Sequence, residues 1–333
     1  MKIYKLLFLA LSFLCCSHNK QAKKINGLSF VASRDSISNQ HINPVLKTQS
    51  NYVALMPYGF IKDLSVPTII HNTDRQWFGE TKNGLLQYAK RFQKEKVQIM
   101  VKPHIWVWRG AFTGDIKMNS EEDWKILEAS YSQFILTYAR AAEDLNVAIF
   151  CIGTELEEFV ANRPAYWQKL IQEIRKVYKG KLTYAANWDE FKRVVFWKDL
   201  DFIGIDAYFP LGDKKSPTIA EYELGWKGHK VAILKVQKQF KKPVIFTEFG
   251  YRSVDFNGKK PWDTERVEGA VNLEAQANAL QAIHNQFWKE DWFAGGFIWK
   301  WFHNHDKVGG EKNNRFTPQN KPAEELIRKL YGL

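Results

Sequence analysis

The chain has 333 residues, 45% of them hydrophobic, enough for one large core or two small ones. Three cysteines exclude a disulfide framework and a CxxC zinc module. The formal net charge is +12, but Lys and Arg are spread along the chain with no basic run, so no nucleic-acid partner is expected.

Residues 1–16 read as an export signal. MKIYK is a short basic stretch, LLFLALSFL is apolar but too short to span a bilayer, and CCSHNKQ follows. An apolar stretch that ends at a cysteine resembles a bacterial lipoprotein signal, in which the cysteine is acylated after cleavage. Cys16 is the expected lipidation site because small Ser17 follows it, with Cys15 as the alternative. Phe13 and Leu14 stand where such signals usually carry a small residue, so a plain secretory signal is the other reading. The mature chain is expected to be exported: lipid-anchored to the periplasmic or cell-surface face of the envelope, otherwise secreted. Residues 17–24 are polar and read as a tether. Residues 25–333 show no linker and read as a single, monomeric domain.

From there short apolar runs alternate with segments of helical length. The strand-like runs are 27–33, 52–60, 97–107, 147–155, 181–188, 202–209, 243–251 and 293–301, eight in all. The segment between the first two is polar and signals a helix only weakly. Ser120 precedes acidic residues and caps a predicted helix whose apolar positions Trp124, Leu127, Tyr131, Phe134, Ile135 and Tyr138 share one face. Pro164 opens the next helix and Gly180 follows its end. Residues 272–292 and 322–333 also read as amphipathic helices. Strands that alternate with helices pair in parallel through crossovers. Eight such units predict an α/β fold, a single (β/α)8 TIM barrel. A doubly wound open sheet would need a glycine-rich loop after its first strand, and FVASRDS is not one.

Active-site residues of such barrels lie at the C-terminal ends of the strands. The fourth run closes on Glu155 and the seventh on Glu248. Side-chain alternation places Glu155 with Cys151 and Gly153, facing the barrel mouth, and Phe150 and Ile152 against the helices. The same rule groups Glu248 with Val244 and Phe246 as barrel-filling positions. Glu157 and Glu158 read as a solvated acidic turn. Two carboxylates across a barrel mouth suit glycosidic cleavage: one protonates the leaving oxygen, the other attacks the anomeric carbon or activates water.

The segments KPHIWVWRG (102–110), IGTELEEF (152–159), ANWDEF (186–191), DFIGIDAYFPL (201–211), FTEFGYRS (246–253) and FTPQNKPAEEL (316–326) resemble glycoside hydrolase family 113, the β-1,4-mannanases of the large retaining clan of (β/α)8 glycosidases. The likeness implies Glu155 as acid/base and Glu248 as nucleophile of a retaining endo-β-glycosidase acting on β-1,4-mannan or glucomannan. The implied partner is a β-linked polysaccharide or oligosaccharide. Two readings stay open beside it: a surface glycan-binding lipoprotein without catalysis, and a retaining glycosidase on another β-glycan. Many clan members carry Asn before the acid/base to bind the sugar 2-OH; Thr154 stands there in this chain, as in the narrower family, and Asn187 is a substitute candidate.

Further substrate-binding candidates follow the strands. Lys102 and His104 can hydrogen-bond hydroxyls, Trp106 and Trp108 offer flat faces, and Arg109 can hold a carboxylate. Tyr208 closes the sixth run, where the clan often has a tyrosine bonded to the nucleophile. Trp299 and Trp301 share parity at the end of the eighth run, one of them as the floor of the cleavage subsite, and Trp188 suits a further subsite. The HNHD stretch (303–306) is too little for a metal site, so neither a metal nor another cofactor is expected.

Overall fold

The computed structural model describes residues 23–263 and 269–333; the export signal with Cys15 and Cys16, and all of the tether but its last two residues, lie outside them. In chain order the strands are β1 (Ile25–Phe30), β2 (Tyr52–Leu55), β3 (Tyr58–Ile61), β4 (Gln98–Val101), β5 (His104–Val107), β6 (Ile149–Thr154), β7 (Lys181–Asn187), β8 (Ile203–Asp206), β9 (Val244–Phe249) and β10 (Phe293–Trp301). Eight of them close a barrel in the order β1-β10-β9-β8-β7-β6-β4-β2, every neighbouring pair parallel. This is a (β/α)8 TIM barrel.

Two predicted runs are longer than the barrel strands they contain. Each breaks at a proline, Pro57 and Pro103, which has no N–H to give to a ladder. Beyond the break β3 and β5 leave the barrel and pair with each other, Tyr58 opposite His104 and Phe60 opposite Trp106. The backbone stays tied across the gap, with Lys102 N donating to Leu55 O and His104 N to Pro57 O, both at 2.9 Å.

The helices are α1 (Asn39–Lys47), α2 (Lys82–Lys94), α3 (Glu121–Asp144), α4 (Glu157–Asn162), α5 (Pro164–Val177), α6 (Ile219–Phe240), α7 (Leu273–Phe287) and α8 (Pro322–Tyr331). Their starts follow the sequence chemistry. Ser120 Oγ accepts from Asp123 N at 3.1 Å, Asn272 Oδ1 accepts from Ala275 N at 2.9 Å, and Pro164 and Pro322 open α5 and α8. Glu157 and Glu158 form the first turn of α4, where acidic side chains suit the helix N-terminus. One crossover departs from the pattern: between β7 and β8 there is no α-helix, only a 3₁₀ turn at Trp197–Asp199. Phe191, Phe196 and Trp197, each 1% exposed or less, fill the layer a helix would occupy, with Phe196 stacked on Trp167 of α5.

Two apolar clusters divide the interior. Ile25, Ala54, Met100, Ile149, Ile245 and Phe297 fill the barrel, while the larger cluster lies between strands and helices. Each fully buried large side chain there contributes roughly 1.5–3 kcal/mol of transfer free energy. Among the described residues no helix is long and apolar enough to cross a membrane.

Candidate active site

A cleft of about 740 Å3 opens at the C-terminal ends of the strands. It is lined by Glu155 and Glu248 together with His104, Trp106, Asn187, Trp188, Tyr208 and Trp299 from the sequence-predicted set. Tyr58, Phe112, Thr154, Asp189, Trp262 and Phe316 complete much of its wall.

Glu248 does not reach the cleft by simple alternation. Val244 and Phe246 belong to the layer under the helices, and Ile245 is the barrel-filling residue, so the expected parity was wrong. The ladder slips instead. Ile205 pairs with Phe246 but Asp206 with Glu248, and on the other side Gly296 pairs with Phe246 but Ile298 with Phe249. Thr247 is the extra residue of a β-bulge, and the bulge turns Glu248 to the mouth. Lys102 Nζ donates to Glu248 Oε1, and Tyr208 Oη donates to Oε2 at 2.6 Å. Lys102 also donates to both oxygens of Asp206, at 3.1 and 2.9 Å, and Thr247 Oγ1 donates to Asp206 Oδ1 at 2.7 Å.

Glu155 arrives by a different irregularity. Cys151 pairs with Thr183 but Thr154 with Ala185, so β6 also carries an extra residue. A Cβ on Gly153 would meet Tyr131 Oη at 2.8 Å and Trp167 at 2.9 Å, which places this position on the helix side, not with Cys151 as the parity reading had it. Glu155 itself is left-handed, φ 49°, a backbone that costs a non-glycine residue roughly 1–2 kcal/mol. Its N–H donates to Ala185 O at 2.8 Å, and the next N–H, of Leu156, donates to Tyr184 Oη at 2.7 Å. Among the described residues no hydrogen bond or ion pair engages the Glu155 carboxyl.

The electrostatics differ accordingly. Burial, then the charges of Asp206 and Glu248, hold Glu155 well above the usual carboxyl range. Burial and Asp206 also raise Glu248, but Lys102 and the Tyr208 hydroxyl oppose them, and it comes to about 7. Burial pulls Lys102 down, yet Asp206 and Glu248 outweigh it and the ammonium is held above its ordinary value. Burial, then Lys102 and Lys300, drive His104 well below the imidazole range, so the ring is neutral. Its Nε2 lies 3.6 Å from Glu248 Oε1, beyond hydrogen-bond distance, and its ring is parallel to that of Trp299 at 6.0 Å.

Four predicted substrate contacts are not in the cleft. Lys102 is 0% exposed and spends its ammonium on Asp206 and Glu248, so it holds carboxylates rather than hydroxyls. Trp301 is 0% exposed among the residues under the helices, because β1 and β10 slip register between Leu28 and Phe30 and break the parity shared with Trp299. Trp108 and Arg109 sit on an exposed turn beyond β5; Arg109 pairs with no carboxylate among the described residues. In HNHD, His305 bonds Glu324 at 2.8 Å and His303 faces His41, and no group of three metal-ligating side chains gathers among the described residues.

Some residues of the site escaped the sequence reading. Tyr58 follows Pro57, and that proline was the available signal. Trp262 stacks on Trp188 at 5.0 Å and 19°, from a loop without pattern. Glu190, in the quoted ANWDEF segment, is 1% exposed, and burial pushes its carboxyl up to about 8.

Solved structures similar to this one share its fold. The GH113 β-mannanase AaManA from Alicyclobacillus acidocaldarius, in complex with ManMIm, is 24% identical, covers 93% of this chain and 97% of its own, and has a TM-score of 0.81. A GH113 β-1,4-mannanase in complex form is 22% identical over 93% of this chain and 99% of its own, TM-score 0.81. A β-glucuronidase from Faecalibacterium prausnitzii is 15% identical over 93% of this chain and 49% of its own, TM-score 0.61. Among curated proteins none matches. The family model described as Glycoside Hydrolase Family 113 matches residues 32–321, and the chain belongs to that family of glycoside hydrolases.

Proposed function

We propose that the protein is a retaining endo-β-1,4-mannanase in which Glu248 is the nucleophile and Glu155 the acid/base. The observation that carries the assignment of roles is the asymmetry of the two carboxyls over one cleft. Glu248 accepts from Lys102 and Tyr208, which favours its ionised form, whereas among the described residues no donor reaches the Glu155 carboxyl and burial favours its protonated form. In the first step Glu248 attacks the anomeric carbon while Glu155 gives its proton to the glycosidic oxygen, and the leaving sugar departs as an alcohol. In the second, the ionised Glu155 takes a proton from water as the water oxygen attacks the glycosyl ester, which frees Glu248. Trp299, stacked along His104, suits the floor beneath the sugar that reacts.

The β-mannan substrate is inferred from the family and from the structural relatives that are β-mannanases. Trp106 follows the third barrel strand and Trp188 the fifth, so aromatic faces flank Glu155 on both sides, as an endo-acting cleft needs. The test is a polysaccharide panel scored for new reducing ends, with proton NMR of the fresh product. β-1,4-Mannan or glucomannan should be cut internally with the β-anomer appearing first. Initial release of the α-anomer, or cleavage only of another glycan, would overturn the reading. We also propose export and lipidation at Cys16, on the sequence of residues 1–16. Palmitate labelling lost in Cys16→Ser supports it; labelling unchanged in that variant contradicts it.

A further inference from the structure

Behind the cleft lies a buried carboxylate that takes no part in the two displacement steps. Glu190, in the turn after β7, has both oxygens occupied: Tyr184 Oη donates to Oε1 at 2.7 Å and the Asn187 N–H donates to Oε2 at 2.9 Å. Tyr184 Oη accepts in turn from the N–H of Leu156, the residue after Glu155, at 2.7 Å. One relay therefore runs from the strand end that presents Glu155 to the turn that follows Asn187. It does so out of reach of a substrate. Tyr184 is 0% exposed, with its ring 5.7 Å from that of Trp167 and 5.5 Å from that of Phe196, in the layer under the helices. Neither Tyr184 nor Glu190 lines the cleft.

We propose that Glu190, acting through Tyr184, is a positioning residue that fixes the proton-donating geometry of Glu155 and sets Asn187 beside it at the end of the neighbouring strand. The proposal rests on the acid/base assignment of Glu155 made above. The left-handed backbone at Glu155 has no glycine to relax it, so the following N–H must be held from outside the strand. Tyr184 can accept that N–H and still needs an acceptor for its own O–H. A buried carboxylate supplies one, and its second oxygen is left for the Asn187 N–H. An amide at position 190 has one acceptor and one donor and satisfies only one of the two.

Glu190→Gln and Tyr184→Phe are compared with wild type and with Glu155→Gln, all as full chains, on mannopentaose and on 2,4-dinitrophenyl β-mannobioside. The dinitrophenolate leaves without a proton, so the burst of its release reports nucleophile and binding, while mannopentaose needs the acid. Expected is a fall in kcat on mannopentaose of about tenfold or more in both variants, the scale of lost supporting contacts. The burst rate for the aryl glycoside, and the Kd read from its concentration dependence, should stay within about twofold. Equal losses on both substrates, or none on either, overturn the positioning role. Tyr184→Phe removes one hydroxyl and keeps the ring, so it decides the matter should Glu190→Gln not fold. If Glu155→Gln spares mannopentaose, the acid/base assignment falls and the positioning role with it. If Glu155→Gln spares only the aryl burst while the other two variants behave as wild type, the positioning role alone falls.

Discussion

Glu248 stands at a bulge in β9 with a cation on one carboxylate oxygen and a phenol on the other; Glu155 stands past the end of β6 on a left-handed residue, and among the described residues no donor touches its carboxyl. The first is gripped at its reactive end. The second is held through the backbone, by Ala185 O and Tyr184 Oη. Both are raised by burial and by Asp206, so burial alone does not tell them apart. The difference lies in who supplies hydrogen bonds to the charged form, and that difference assigns a nucleophile and an acid from two residues of one type.

Removing a carboxyl breaks the comparison most directly. Glu248→Ala should lower kcat by at least ~10⁴-fold on every substrate, aryl glycosides included, read by reducing-sugar and chromophore assays. Glu155→Gln should cost roughly 10²–10⁴-fold on mannan and leave kcat/KM for an activated aryl glycoside, which reports the first step alone, far less affected. The same variant should lose the alkaline limb of the kcat/KM profile, since a protonated Glu155 is what that limb reports.

Lys102→Met sharpens the contrast by making Glu248 resemble Glu155. Without the ammonium the charged form of Glu248 loses its partner, its carboxyl rises above about 7, and the acidic limb of kcat/KM moves to higher pH. Asp206 and Glu248 are then buried without a cation, so thermal unfolding should also show a loss of about 3–5 kcal/mol. Trp299→Ala should act on binding, with KM up about tenfold for the loss of roughly 1–2 kcal/mol of stacking. Arg109→Ala is the smallest: exposed and off the cleft, it should leave kcat/KM within about twofold of wild type.

Where irregular backbone carries the site, the sequence was hard to read. The eight runs, the caps at Ser120 and Pro164 and the strand-end glutamates follow from periodicity and local chemistry, and they stand as expected. A bulge leaves no period of its own. The rule that alternate side chains share a face therefore misplaced Val244, Phe246 and Gly153, and it grouped Trp301 with Trp299 although the register slips between β1 and β10. The residues at the mouth reach it through these slips, so the rule fails most where the chemistry is. Pro57 and Pro103 are the opposite case: a missing N–H is visible in sequence, and it marked the point where β3 and β5 leave the barrel with Tyr58, His104 and Trp106. Lys102 shows a third limit. A lysine at a strand end looks free until the fold brings Asp206 and Glu248, from 104 and 146 residues away, onto its ammonium.

The division of labour between the two glutamates is tested most directly by trapping. Incubation with 2-deoxy-2-fluoro-β-mannosyl fluoride, followed by digestion and mass spectrometry, should place one fluorosugar on Glu248 in wild type, with none in Glu248→Ala. A fluorosugar on Glu155, or turnover of mannan with net inversion and no covalent adduct, would contradict the account.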